Sequence, residues 1–174
     1  VSDNGFNGLT VLDVSQVQAR TPLPTVPVVS RLSWPQVSIP QNATPFTRNG
    51  HRYVLETDEF GGGAAIGAAR IIDVQNIKKP FVVSNLRLAV NAAKAQGADL
   101  EADPGNDQQF QGYQGHYCSL PSRVDPTVIA CSFILSGLRV FDIRHVAHPR
   151  EIAYFNKPLK PGAGSTPTKA GSFA

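Results

Sequence analysis

The sequence predicts an all-β fold: a β-propeller fragment of about two and a half four-stranded antiparallel blades. The leading observation is a segment that recurs. Gly-Leu-Arg-Val-Phe-Asp-Ile-Arg-His-Val-Ala-His-Pro at residues 137–149 returns in degraded form from Gly8 (Gly-Leu-Thr-Val-Leu-Asp-Val-Ser-Gln-Val) and from Ala69 (Ala-Arg-Ile-Ile-Asp-Val-Gln-Asn-Ile-Lys-Lys-Pro). Superposed on the acidic residue, Asp13, Asp73 and Asp142 coincide. Val14, Val74 and Ile143 follow one residue later, and Val17, Ile77 and Val146 four residues later. A period of about 60 to 70 residues with this internal detail is a repeated supersecondary unit. The second observation is a hairpin ahead of each later copy and an outer strand behind it, which makes four strands per unit. The third is a turn-rich composition, with 15 glycines and 14 prolines. Tandem four-stranded units are the mark of propeller blades, and rings need about four to eight of them. Two and a half do not close.

Taken in order, Leu9–Val14 reads as a strand, β-rich and bounded by Gly8 and Ser15-Gln16. Pro22, Pro24 and Pro27 interrupt any regular element, and Val26–Leu32 gives a second strand in which Pro27 suits an edge. Residues 1–34 are thus the last two strands of a blade. Residues 34–40 read as a loop, and 41–90 form the next blade. Its hairpin turns at Asn49-Gly50, a pair that supplies the positive φ angles of a type I′ turn. Residues 57–67 read as a loop centred on Gly61-Gly62-Gly63. The repeated strand Arg70–Val74 and an outer strand from Phe81 to about Val90 follow. Residues 91–115 are an insertion loop, long enough to suggest function or mobility. Residues 116–156 are the last blade: His116–Leu120, a turn, Val128–Leu135, the repeated strand Gly137–Ile143 and Glu151–Phe155. Residues 157–174, rich in Pro, Gly, Ser, Thr and Lys, read as a flexible tail or linker.

Composition narrows the function classes. An apolar share of 41% supports a core. Net charge is only +3 and the basic residues are scattered, without interleaved aromatics, so nucleic acid is not expected as a partner. No apolar run approaches the ~18 residues of a membrane span. The chain starts at Val1 and contains no Met, which reads as an internal piece of a longer protein or a processed form.

The Leu-Asp-Val, Ile-Asp-Val and Phe-Asp-Ile strands, each with a following turn that ends in His-Pro or Lys-Pro in the later copies, resemble those of the LVIVD-repeat β-propeller family. The unit from Gly137 to Ile152 is the best match, and the chain is similar to the C-terminal portion of secreted bacterial proteins of this type. The resemblance covers roughly residues 8–158 through short motifs. It implies a propeller, export, and no assigned activity. It also implies a further strand beyond the tail that would close the ring. A distant similarity to selenium-binding-protein-type propellers implies a metal-dependent oxidase, although no His-rich site matching theirs is present.

Several residues carry possible chemistry. Asp13, Asp73 and Asp142 are read as structural turn aspartates, each ending a strand and accepting backbone N–H groups a residue or two on. Cys118 and Cys131 lie on two arms of one hairpin whose midpoint falls at Val124-Asp125, where facing positions suit a disulfide. Free thiols, or a metal site that includes His116, remain the alternatives, the latter needing two more ligands. Glu56, Asp58 and Glu59 precede the triple glycine. They read either as a solvated acidic loop or as oxygen ligands for a divalent cation, the one cofactor considered. The triple glycine lacks the strand, lysine and helix of a phosphate loop. His51, His145 and His148 read as surface residues at turns, and Asn42-Ala43-Thr44 is a glycosylation sequon.

The expected function is a non-catalytic binding or scaffold module of an exported propeller. Its partners would be the remaining blades of the same propeller or a partner protein. Two alternatives stand beside it. One is part of a metal-dependent, copper-type oxidase whose centre is shared with missing blades. The other is a structural assembly protein using open blade edges.

Overall fold

The computed structural model describes residues 8–34, 39–59, 69–88, 113–134 and 136–156. Gly8–Leu12 (β1) pairs antiparallel with Val28–Ser33 (β2), and one helical turn, Ser15–Gln18 (α1), lies between them. Ile39–Arg48 (β3), His51–Glu59 (β4), Arg70–Asp73 (β5) and Phe81–Asn85 (β6) form a second sheet, with neighbours in chain order. Gly115–Ser119 (β7), Val128–Phe133 (β8), Gly137–Asp142 (β9) and Arg150–Phe155 (β10) form a third in the same order. The described residues are therefore nearly all-β, in antiparallel sheets: two four-stranded, blade-like meanders and the two-stranded sheet β1–β2.

Turn chemistry explains where the strands reverse. Asn49 and Gly50 take φ values of 51° and 74°, the left-handed pair that a two-residue hairpin demands. At the end of β5, Asp73 Oδ1 accepts the Gln75 N–H at 2.8 Å. Asp13 Oδ1 does the same for Ser15 (2.9 Å) and Asp142 Oδ1 for Arg144 (2.8 Å). Each carboxylate satisfies a donor at a chain reversal that no ladder can reach. The likeness extends to the pairing. In all three sheets the outer strand carries a β-bulge opposite the two residues before the aspartate, between Val11/Leu12, Ile71/Ile72 and Val140/Phe141.

The three sheets pack face to face in chain order. Leu9, Leu32 and Trp34 of the first meet Val54, Ile72, Val74 and Val82 of the second. The opposite face of the second, with Leu55, Ile71 and Leu86, meets Ile129, Phe133, Phe141 and Ile143 of the third. Ile71 and Ile72 are neighbours in sequence yet serve different junctions, because successive strand residues point to opposite faces. Each such fully buried side chain contributes about 1.5–3 kcal/mol. One hydrogen bond recurs at both junctions: Ser30 Oγ donates to the Ile77 carbonyl (2.5 Å) and Ser84 Oγ to the Val146 carbonyl (2.6 Å). The β3–β4 hairpin end and the turn between β7 and β8 are also tied. Thr47 and Val124 form a parallel bridge, and the Asn49 N–H donates to Asp125 Oδ1 at 2.6 Å.

Several boundaries differ from expectation. β1 stops at Leu12, because the Asp13 N–H turns to the Pro27 carbonyl (2.9 Å) and α1 follows. β2 starts at Val28, after Pro27, so that proline lies outside the ladder. Ile39 and Pro40 belong to β3 instead of a loop, and β6 ends at Asn85. Thr57, Asp58 and Glu59 continue β4, which shortens the expected 57–67 loop at its start. Gly61-Gly62-Gly63, residues 91–112 of the insertion and the 157–174 tail lie outside the described residues.

Candidate functional site

Among the described residues, a buried charge cluster lies near the end of β4 in the second sheet. Glu56 and Asp58 stand two apart on β4 and so share a face. Arg70, the first residue of β5, pairs directly across from Glu56. Its Nη1 donates to Glu56 Oε2 at 2.9 Å and also to Asp58 Oδ2. All three side chains are at most 5% exposed. Trp34, the residue after β2, covers the cluster from the first sheet, with the Arg70 guanidinium 4.0 Å from its ring centroid.

This arrangement corrects both readings of the acidic stretch. Glu56 and Asp58 are neither solvated nor open to a divalent cation, because the Arg70 guanidinium occupies the place between them that a cation would take. Of Glu59 only its place at the end of β4 is described. One guanidinium cannot neutralise two buried carboxylates, and the cluster resolves the excess by protonation. Burial pushes the Glu56 carboxyl up to about 9, the hydrogen bond and charge of Asp58 push the same way, and Arg70 pulls against them. At neutral pH Glu56 is therefore a carboxylic acid beside an Asp58–Arg70 pair. Glu56 Oε1 and Asp58 Oδ1 have no hydrogen-bond partner among the described residues.

The other candidates are held by the fold. Cys118 and Cys131 face each other across β7 and β8, with Cα atoms 4.1 Å apart, and form a disulfide. That bond removes both alternatives, free thiols and a thiolate metal site with His116. His116 lies on β7, half-buried, two residues before Cys118. The turn aspartates Asp13 and Asp142 accept backbone hydrogen bonds. Those from Ser15 and Arg144 hold the Asp13 and Asp142 carboxyls below the usual carboxylate range. Asp73 in addition meets His51, Nε2 to Oδ2 at 2.6 Å, beside the Tyr53 ring. Burial first, and then the Asp73 charge, raise the Tyr53 hydroxyl. His145 and His148 sit in the turn after β9, where the His148 N–H closes on the His145 carbonyl at 2.9 Å.

Among the described residues no group of three or more His, Cys, Asp and Glu side chains could hold a metal ion. Among them too, no helix is long and apolar enough to cross a membrane. A scan against protein-family models finds none that matches the chain, and a search of curated proteins finds no relative.

Sequence reasoning missed Arg70 and Trp34 as parts of the cluster. The usable signal was alternation: Val54, Glu56 and Asp58 fall on one face of a strand, as Arg70 and Ile72 do on the next. An acidic pair on a buried face requires a cation opposite, and Arg70 is the basic residue next to the repeated strand's apolar pair.

Proposed function

We propose that this chain is a non-catalytic binding or scaffold module, a set of LVIVD-type propeller blades from an extracytoplasmic protein. The observation that carries the reading is that, among the described residues, the fold itself consumes the cysteines and the carboxylates best placed to do chemistry. The two cysteines are bonded to each other, three equivalent aspartates accept turn N–H groups, and Glu56 and Asp58 are spent on Arg70 beneath Trp34. What the described residues offer outward is sheet faces and edges. The disulfide supports an oxidising compartment. The partners in this reading are further blades, supplied by the same propeller or by another protein.

Metal loading tests it against the oxidase alternative. Protein incubated with copper or zinc and then desalted is expected to retain well under one ion per chain. A stoichiometric ion that is lost in His116→Ala overturns the scaffold reading in favour of a metal centre.

A further inference from the structure

Both sheet junctions in this chain are built from the same two halves. One half is a donor face, made by residues two and four before the aspartate together with the outer strand. In the first sheet Leu9 and Leu32 supply it; in the second, Ala69, Ile71 and Leu86. The other half is a receiver face, made by the residues just before and just after the aspartate: Ile72 and Val74 in the second sheet, Phe141 and Ile143 in the third. Each junction joins a donor to the receiver of the next sheet.

Among the described residues two halves are left over. The donor face of the third sheet carries Leu138, Val140 and Phe155, which correspond by register to Ala69, Ile71 and Leu86. Phe155 is 68% and Leu138 36% exposed, against 1% for both Leu86 and Ala69. The receiver face of the first sheet carries Leu12 and Val14. They are 39% and 41% exposed, whereas Ile72 and Val74 are 0% and 9%, and Phe141 and Ile143 1% and 0%. One chain thus presents both members of a pairing that it already forms twice internally.

We infer that a second copy of this chain docks head to tail, its β1–β2 receiver face on the β7–β10 donor face of the first. The inference rests on the scaffold reading, and it names the partner as the same polypeptide. Such an interface is heterologous: it uses different surfaces on the two copies, and each added copy leaves one donor and one receiver free. The junction lacks one bond that the internal ones have. Ala153 stands where Ser30 and Ser84 donate, since it pairs with Val140 as Ser30 pairs with Val11 and Ser84 with Ile71. Among the described residues the receiver is two strands wide, so association between copies is weaker than packing within one.

Sedimentation velocity across a concentration series tests this, using Leu138→Lys to block the donor and Val14→Lys to block the receiver. Both positions are already more than a third exposed, and unchanged thermal midpoints check that the variants fold. The parent chain is expected to grow in mass with concentration and each variant to stay monomeric. An equimolar mixture of the two should form a one-to-one dimer that grows no further, because one intact donor then meets one intact receiver. Ala153→Ser restores the missing hydroxyl and should shift association to lower concentration. A parent that is monomeric throughout, a single variant that still associates, or a mixture that stays monomeric overturns the inference. These outcomes are read independently of metal retention, so a failure here is distinct from a failure of the scaffold reading.

Discussion

Replacing Glu56 by Gln should remove a pH dependence from the stability of this protein. In the folded chain the Glu56 carboxyl titrates near 9, whereas in the unfolded chain it titrates near 4.5. Between those limits the folded state holds a proton that the unfolded state releases. The linkage slope is then negative: the contribution is fully present below pH 4.5 and is lost as pH rises towards 9. One proton is worth about 1.4 kcal/mol per pH unit, so the parent should lose on the order of 4 kcal/mol between pH 5 and pH 8 through this group. Gln keeps the shape and the acceptor for Arg70, donates to Asp58 and does not titrate. Parent and variant should therefore be closest near pH 5 and diverge steadily above it, with the variant the more stable. Urea unfolding at several pH values measures the gap. The single tryptophan, Trp34, is a convenient probe because it lies on Arg70. Asp13 and Asp142 titrate below this window in both proteins and cancel. A gap that stays flat from pH 5 to pH 8, or that favours the parent as pH rises, would refute the protonated-acid account of the cluster.

Two further outcomes follow from single positions. Gly137 has φ +75°, and an added Cβ would run into the Phe155 carbonyl oxygen and lie 2.9 Å from Asn156 Cα, while Gly50 has φ +74° with open space around it. Gly137→Ala should thus cost about 2–4 kcal/mol in urea unfolding and Gly50→Ala only about 1, and equal losses would show that the close approach of β10 is not what requires the glycine. Breaking the Cys118–Cys131 bond, which spans 13 positions, should lower stability by about 3 kcal/mol, seen as a lower urea midpoint after reduction in the unfolded state and refolding. An unchanged midpoint would mean the hairpin is already closed in the unfolded chain.

The parts of this fold legible in the sequence are those fixed by local chemistry. Asn49-Gly50 dictates its own turn, and the order of four strands follows from it and from the recurring aspartate. The cysteine pairing follows from symmetry about Val124-Asp125, since a hairpin's register is set by its turn. The unread parts depend on partners distant in sequence. Residues 57–59 read as the start of a loop centred on Gly61-Gly62-Gly63. What makes them strand is Arg70 opposite Glu56, and the β4–β5 register is not written in any two-residue turn. The role of Trp34 needed more still, namely the stacking of one sheet on another. Neither the turn aspartates nor the disulfide required that knowledge, because each is satisfied within its own sheet.

The difference between the two ends of the second sheet explains why a buried ionic cluster sits where it does. At one end the chain reverses through Asn49-Gly50 and through the Asp73 turn, and short covalent connections leave no freedom of register. At the other end residues 60–69 separate β4 from β5. A connection of that length tolerates a slip of one residue at small entropic cost. A slip would move every side chain of β5 to the wrong face. It would carry Arg70 away from Glu56 and Asp58, stranding a charge in the interior, and that costs about 3–5 kcal/mol. Apolar packing alone discriminates poorly here, because Ile71 and Ile72 are the same residue type and one-step slippage merely exchanges them. The ion pair contributes little net stability against a well-packed apolar substitute, as buried pairs commonly do. Its consequence is selection: of the registers open to β5, the observed one gives the guanidinium both carboxylates and the face of Trp34.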